Sequence, residues 1–182
     1  MARVPYLTER DLAAENRDLL ARDLNLYRAL AHSPDSARQF MALGMHIRHR
    51  MLLDPRLREM AILQVGYLTR APYEYAHHIE IGRAFGVTDA DLRAIAAETA
   101  GDASGLPALD RAVLRAAREL AAGTVLTDDT YAALARDLDH GRRVDLVMTI
   151  AFYCGVVRML GALRIDVEPE YRHYLDDFPL PV

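Results

Sequence analysis

The stretch that decides the fold, residues 54–92, reads DPRLREMAILQVGYLTRAPYEYAHHIEIGRAFGVTDADL. Apolar residues recur every three or four positions over 55–69 and again over 72–85, a spacing typical of helices. The pairs Asp54-Pro55 and Ala71-Pro72 are typical helix starts, since proline suits the first turn. Because only a tight turn separates the two segments, we expect them to pack as an antiparallel hairpin.

The rest of the chain has the same helical character, and no stretch shows strand-type alternation of useful length. The further predicted helices are 9–23, 25–32, one that starts at Ser33-Pro34, 89–99, 107–122, 128–138 and 141–162. The sequence therefore predicts an all-α protein, a helical bundle built around the antiparallel hairpin. We expect a single domain over 1–182, with its core at 40–100 and a proline-containing tail at 165–182 against a surface or a neighbouring subunit.

Charge and composition exclude several classes of function. The chain has 182 residues, 52% of them hydrophobic, and a formal net charge of -4. Lysine is absent, and the arginines form no basic run, so nothing indicates a nucleic-acid partner or a polybasic membrane contact.

The chain has one cysteine, Cys154, which suits a reducing compartment and excludes an internal disulfide or a Cys-x-x-Cys pair. Its apolar neighbours favour a structural thiol over a reactive one. The N-terminus lacks the apolar core of a signal peptide, and no apolar run approaches the roughly 20 residues of a membrane helix. We expect a cytoplasmic protein without a membrane partner.

Three side chains of the hairpin are candidates for acid–base chemistry. Glu59 lies one turn into the first helix, and Glu74 and His78 share one face of the second because they are four residues apart. If Glu59 is buried near His78, we expect its pKa to rise and the histidine to become its proton-transfer partner.

Structural interpretations of the same residues stay open. Glu59 is also placed to pair with Arg56 or Arg58, and Glu74 lies in a first helical turn, where a carboxylate is favourable. His78 is also explained as a core histidine with satisfied hydrogen bonds, and His77 as exposed or paired with Glu80. Two carboxylates and one histidine also suit a metal ion, although we expect none here. The basic cluster at 46–50 is most simply a solvated helix end.

Parts of this stretch resemble a known family. The segments 57–63, 73–78 and 81–88 are similar to the carboxymuconolactone decarboxylase and alkylhydroperoxidase-D-like family, and the resemblance is strongest over 40–100. In the redox branch of that family a glutamate is followed by Cys-x-x-Cys and then a histidine. That pattern places its glutamate on Glu59 and its histidine on His78, while its two cysteines fall on Ala71 and Glu74. The resemblance therefore implies the branch that lacks the cysteine pair.

For this branch the resemblance implies a lyase-type enzyme without a cofactor that acts on a small carboxylated metabolite by decarboxylation, isomerisation or lactone chemistry. Arginines near the hairpin are candidate carboxylate anchors, because a guanidinium can hold a carboxylate with two hydrogen bonds. The candidate substrate-binding residues are Arg56, Arg83, Tyr73 and His77. The resemblance also implies a homotrimer or homohexamer, with contacts near Met41, Met45, Met51 and Tyr153. Two alternatives stay open: a thiol peroxidase of the alkylhydroperoxidase type, and an oligomeric protein that binds a small ligand without catalysis.

Overall fold

A computed structural model describes residues 1–181 and confirms the all-α fold. Within these residues the helices are α1 (Asn25–Leu30), α2 (Pro34–Arg50), α3 (Pro55–Leu68), α4 (Pro72–Ala84), α5 (Asp89–Ala100), α6 (Ala108–Ala122), α7 (Asp128–Ala135), α8 (His140–Leu163) and α9 (His173–Asp177). Short 3-10 helices span Glu9–Asp11, Ala14–Leu20 and Pro169–Tyr171. No β-strand occurs in this part of the chain.

The α3–α4 hairpin forms because local signals at its start and at its turn agree. The Asp54 carboxylate accepts a hydrogen bond from the Leu57 backbone N–H at 3.0 Å, which caps α3. At the turn, Arg70 adopts a left-handed conformation with φ of 52°. Gly66 allows the two helices to approach closely, because a Cβ at this position would lie 3.3 Å from the Cα of Tyr75.

Helix α3 is the centre of the bundle. Every residue from 57 to 67 is buried, and α3 packs against α4, α5, α6 and α8. A helix that is covered on all sides has no solvated face on which to place a charged side chain. A charge on α3 must therefore be neutralised by a partner inside the fold.

The N-terminal segment differs from its prediction. Instead of one helix over 9–23, the chain forms the first two 3-10 helices, and Leu12 between them is extended. The predicted cap is present, since the Asp11 carboxylate accepts a hydrogen bond from the Thr8 N–H at 2.8 Å. The helix does not continue because tertiary contacts engage its backbone: the Glu15 carbonyl accepts a hydrogen bond from Arg38 at 2.7 Å.

The C-terminal tail folds back onto its own chain. Tyr174 and Phe178 are buried in a cluster with Met60 and Leu63 of α3, and α9 packs against α4. This packing carries residues just before α9 to the hairpin. The tail therefore contributes to the site described below.

One helix of the described chain, α8, is long and apolar enough to cross a membrane by length and composition. The expectation that no apolar run reaches that length is therefore wrong. Helix α8 packs along α3 and α6, and 44% of its apolar window is buried within the fold. A core helix of a soluble protein has the same properties.

Candidate active site

The structure brings Glu59, Glu74 and His78 together between α3 and α4. His78 Nδ1 lies 2.7 Å from Glu59 Oε2, and His78 Nε2 lies 2.9 Å from Glu74 Oε1. All three side chains are at most 5% exposed. The imidazole is thus held between two buried carboxylates, one from each helix of the hairpin.

The two contacts of His78 differ in quality. The contact with Glu59 has hydrogen-bond geometry, whereas Glu74 Oε1 is buried without a hydrogen-bond partner in residues 1–181, because its close contact with Nε2 is misaligned. A buried carboxylate oxygen without a hydrogen bond is costly in free energy. Glu74 Oε1 is therefore the atom of this group that gains most from a ligand or a proton.

Arg58 completes the charge balance around Glu59. Its Nε and Nη2 atoms donate to Glu59 Oε1 at 3.0 and 2.9 Å, and its Nη1 donates to the Arg48 carbonyl at 2.9 Å. The guanidinium is almost completely buried and lies 4.5 Å from the centre of the Phe85 ring. The pairing of Glu59 with Arg58 and its contact with His78 therefore exist side by side, one on each carboxylate oxygen.

These partners determine the protonation of the group. Burial alone would lower the pKa of His78, but the charges of Glu74 and Glu59 outweigh it and raise the pKa to about 9. Burial alone would raise the pKa of Glu59, but His78 and Arg58 outweigh it, so this pKa is lowered. The expectation that the pKa of Glu59 rises is therefore wrong. Near neutral pH, His78 is an imidazolium beside an ionised Glu59.

His77, the residue before His78 on α4, forms a second histidine–carboxylate pair. His77 Nε2 is 2.7 Å from Glu168 Oε2, and the Tyr73 hydroxyl donates to Glu168 Oε1 at 3.0 Å. The His77 ring is stacked between Tyr73 and Tyr171, at centroid distances of 4.3 and 3.7 Å. His77 is thus buried rather than exposed, and its partner is Glu168 rather than Glu80.

The two histidines, Glu74 and Tyr73 line one cavity of about 70 Å³. Helices α2 and α8 close its other sides. The remaining lining residues are Arg22, Leu24, Leu26, Tyr27, Phe40, Met41, Gly44, Met45, Arg48, Ile81, Phe152, Tyr153 and Val156. The mostly apolar wall lowers the local dielectric, which strengthens every charge interaction inside the cavity. Tyr153, predicted near a subunit contact, is buried here against His78.

The two arginines predicted as carboxylate anchors lie outside the cavity. Arg56 pairs with Asp91 and Asp110, and Arg83 pairs with Asp89, so neither lines the cavity. Arg22 and Arg48 line it instead.

The basic cluster at 46–50 is only partly a solvated helix end. Its residues His46, His49 and Arg50 are exposed as predicted, but Arg48 turns inward. Its Nε is buried without a hydrogen-bond partner among the described residues.

Among residues 1–181, no group of three or more His, Cys, Asp or Glu side chains is arranged to hold a metal ion. Both ring nitrogens of His78 already face carboxylates. His78 is hydrogen-bonded to Glu59 and has the second carboxylate, Glu74, beside its other ring nitrogen.

Comparison with known proteins agrees with this geometry. Residues 34–119, which contain the whole hairpin, match the model of the carboxymuconolactone decarboxylase family. These residues belong to that family. A search of curated proteins gave no significant match.

Solved structures show the same fold over nearly the whole chain. A peroxidase-related protein with an alkylhydroperoxidase AhpD core from Ralstonia eutropha JMP134 superposes with a TM-score of 0.81 at 20% identity, covering 99% of this chain and 98% of that one. A variant of the debrominase Bmp8 in complex with 2,3,4-tribromopyrrole gives 0.78 at 18% identity, covering 98% and 100%. A peroxidase-related protein from Silicibacter sp. TM1040 gives 0.77 at 15% identity, covering 93% of each chain. At these identities the likeness concerns the fold.

The chain lacks the cysteine pair of the redox branch. Ala71 and Glu74 stand where the redox pattern has cysteines. Cys154 is buried in the core, does not line the cavity, and has a pKa raised by burial. Its buried position and its raised pKa are typical of a structural thiol and not of a reactive one.

Proposed function

We propose that this protein is a cofactor-independent acid–base catalyst that acts on a small carboxylated metabolite, as the name of its family implies. The observation that carries the proposal is the buried cluster of Glu59, His78 and Glu74, with distances of 2.7 and 2.9 Å, in which His78 and Glu74 line a small cavity. A proton held between such groups can be transferred to or from a substrate in that cavity.

In the favoured reaction, a carboxylated lactone loses carbon dioxide. The bond between the ring and the carboxylate carbon breaks, its electron pair moves toward the lactone carbonyl, and an enolate forms. His78, which lines the cavity and lies 2.9 Å from Glu74, supplies the proton, and the enolate carbon takes it up. The substrate carboxylate and one proton thus become carbon dioxide and a C–H bond. Solvent then restores the proton to His78.

The charges of the site favour an anionic substrate. With His78 protonated, the buried cations Arg58 and His78 balance the anions Glu59 and Glu74. Arg48 is then an additional positive charge at the cavity, with a buried Nε that has no partner in the described chain. A substrate carboxylate would satisfy Arg48 without disturbing the cluster.

The two alternatives have less support. A thiol peroxidase needs a thiolate at the reacting site, and Cys154 lies outside the cavity. A protein that only binds a ligand would use the same cavity, and turnover distinguishes it from an enzyme.

The assembly predicted from the family resemblance, a homotrimer or homohexamer, is part of the proposal. Leu52, Val144 and Met148 are exposed apolar side chains that a second copy would cover.

We expect the protein to release carbon dioxide from carboxymuconolactone, or from another small carboxylated lactone, faster than buffer does. In D₂O the product should carry one deuterium on the carbon that the enolate protonates, because the protein supplies a solvent-derived proton there. Carbon dioxide release and mass spectrometry of the product measure the two results.

Arg48→Gln should raise KM at least about tenfold, since a charged hydrogen bond is lost.

The matched control is Arg50→Gln, an exposed arginine on the same helix, which should leave KM unchanged. If several carboxylated lactones raise the melting temperature but none is turned over, the protein binds such compounds without catalysis and the proposed activity is wrong.

A further inference from the structure

A second cleft lies where α6, the end of α5 and the end of α7 meet. Its volume is about 300 Å³, and it shares no lining residue with the catalytic cavity. Its charged lining consists of Glu98 and four arginines, namely Arg111, Arg115, Arg118 and Arg136. The other lining residues are alanines, so the floor is shallow and open to a ligand. The cleft is strongly positive in a chain whose formal net charge is -4.

Helix geometry concentrates this charge. Arg111, Arg115 and Arg118 are spaced by four and three residues, so they lie on one face of α6. Arg136, at the end of α7, brings a fourth guanidinium to the same concave surface. Across residues 1–181, the guanidiniums of Arg111, Arg115 and Arg136 have no hydrogen bond or ion pair. Like charges at this spacing repel, and an anion between them would relieve the repulsion.

Arg118 is fixed at the inner end of the cleft. Its Nη1 donates to Gln64 Oε1 at 3.0 Å, and Gln64, fully buried in α3, donates through Nε2 to Thr99 at 2.9 Å. Glu98, the one carboxylate of the cleft, lies 3.5 Å from Arg118 and also accepts a hydrogen bond from Ser104. Arg118 is therefore preorganised, and Glu98 is already engaged.

Burial is the main influence on the pKa of Arg118 and lowers it. Glu98 and Glu119 raise this pKa and the nearby charge of Arg115 lowers it, with a lowered pKa as the net result. The two carboxylates therefore do not outweigh burial and the neighbouring cation. An anionic ligand would add negative charge beside Arg118.

We propose that this cleft binds a small phosphorylated molecule through Arg111, Arg115, Arg118 and Arg136. Guanidinium groups hold phosphate oxygens with paired hydrogen bonds, and several arginines together favour a multiply charged phosphate over a single carboxylate. The cleft is concave and bounded by α5, α6 and α7, which suits a soluble small molecule. This site is separate from the acid–base cluster and does not depend on the proposed reaction.

Inorganic pyrophosphate is the probe for the test. We expect it to raise the unfolding midpoint of the whole protein at constant ionic strength, and to bind in isothermal titration calorimetry. The double variant Arg115→Gln with Arg136→Gln should bind pyrophosphate at least about tenfold more weakly, because charged hydrogen bonds are lost. Both residues are exposed, so the fold should persist. Arg10→Gln, an exposed arginine in the N-terminal segment, is the matched control and should bind like wild type.

Two results would overturn this proposal. One is a midpoint shift no larger than that given by sodium chloride of equal ionic strength, or one that is equally large in the double variant. The other is a change of oligomeric state in the double variant without any pyrophosphate binding in wild type, which would assign the cleft to a contact between copies of the chain.

Discussion

We expect His78→Asn to slow turnover of a carboxylated lactone by about 100- to 10,000-fold, the range typical for loss of a general acid. Asparagine can still occupy the space between Glu59 and Glu74, but it cannot carry a proton between them. Steady-state kinetics gives kcat and KM, and thermal unfolding shows whether the variant is folded. The loss should appear mainly in kcat, because the anchoring charge of Arg48 is intact.

The pH profile separates a catalytic effect from a structural one. The raised pKa of His78, about 9, means that the imidazolium is present below that pH and is lost above it. The wild-type rate should therefore fall as the pH rises through about 9. His77→Asn is the neighbouring control, since His77 pairs with Glu168 instead. The rate of this variant should still fall as the pH rises over the same range. Activity of His78→Asn within about threefold of wild type would contradict the role of His78.

Arg58→Met should reduce the free energy of unfolding by about 3 kcal/mol, the lower end of the cost of breaking a buried ion pair. Arg58 is fully enclosed and donates twice to Glu59, so its removal leaves a buried carboxylate with His78 as its remaining charged partner. Urea unfolding of wild type and variant measures the difference. The double variant Arg58→Met with Glu59→Leu should recover part of the loss, because both members of the pair are then apolar.

An exposed ion pair provides the comparison. Arg28 pairs with Asp23 at 2.6 Å, with the aspartate 72% exposed, so Arg28→Met should cost less than about 1 kcal/mol. An equally small effect of Arg58→Met would show that burial does not make the Arg58–Glu59 pair important for stability.

The hairpin could be predicted from sequence because its signals are local. The cap at Asp54, the prolines at the two helix starts and the four-residue spacing of Glu74 and His78 all act within one or two turns. Glu59 meets His78 because a tight turn leaves the two helices little choice of packing. The segment around 9–23 was predicted less well, since tertiary contacts from Arg38 decide its conformation.

The rest of the site depends on contacts that sequence spacing does not reveal. Glu168 comes from the tail and reaches His77 across 91 residues of chain. Arg48 lies on α2, and the pattern of an exposed helix end gave no sign that one of its arginines turns inward. Arg56 and Arg58 are two residues apart, yet one meets Asp91 and the other Glu59, because residues two apart point in different directions on a helix.

The most direct test of the central claim is the protonation of His78, measured by NMR on protein labelled with ¹⁵N-histidine. The His78 signals are assigned by their absence from the spectrum of His78→Asn. Two buried carboxylates around the ring predict that His78 is still an imidazolium at pH 8 and titrates with a pKa of about 9. A His78 that is neutral at pH 8 and titrates near the ordinary histidine value of about 6.5 would contradict the proposed cluster.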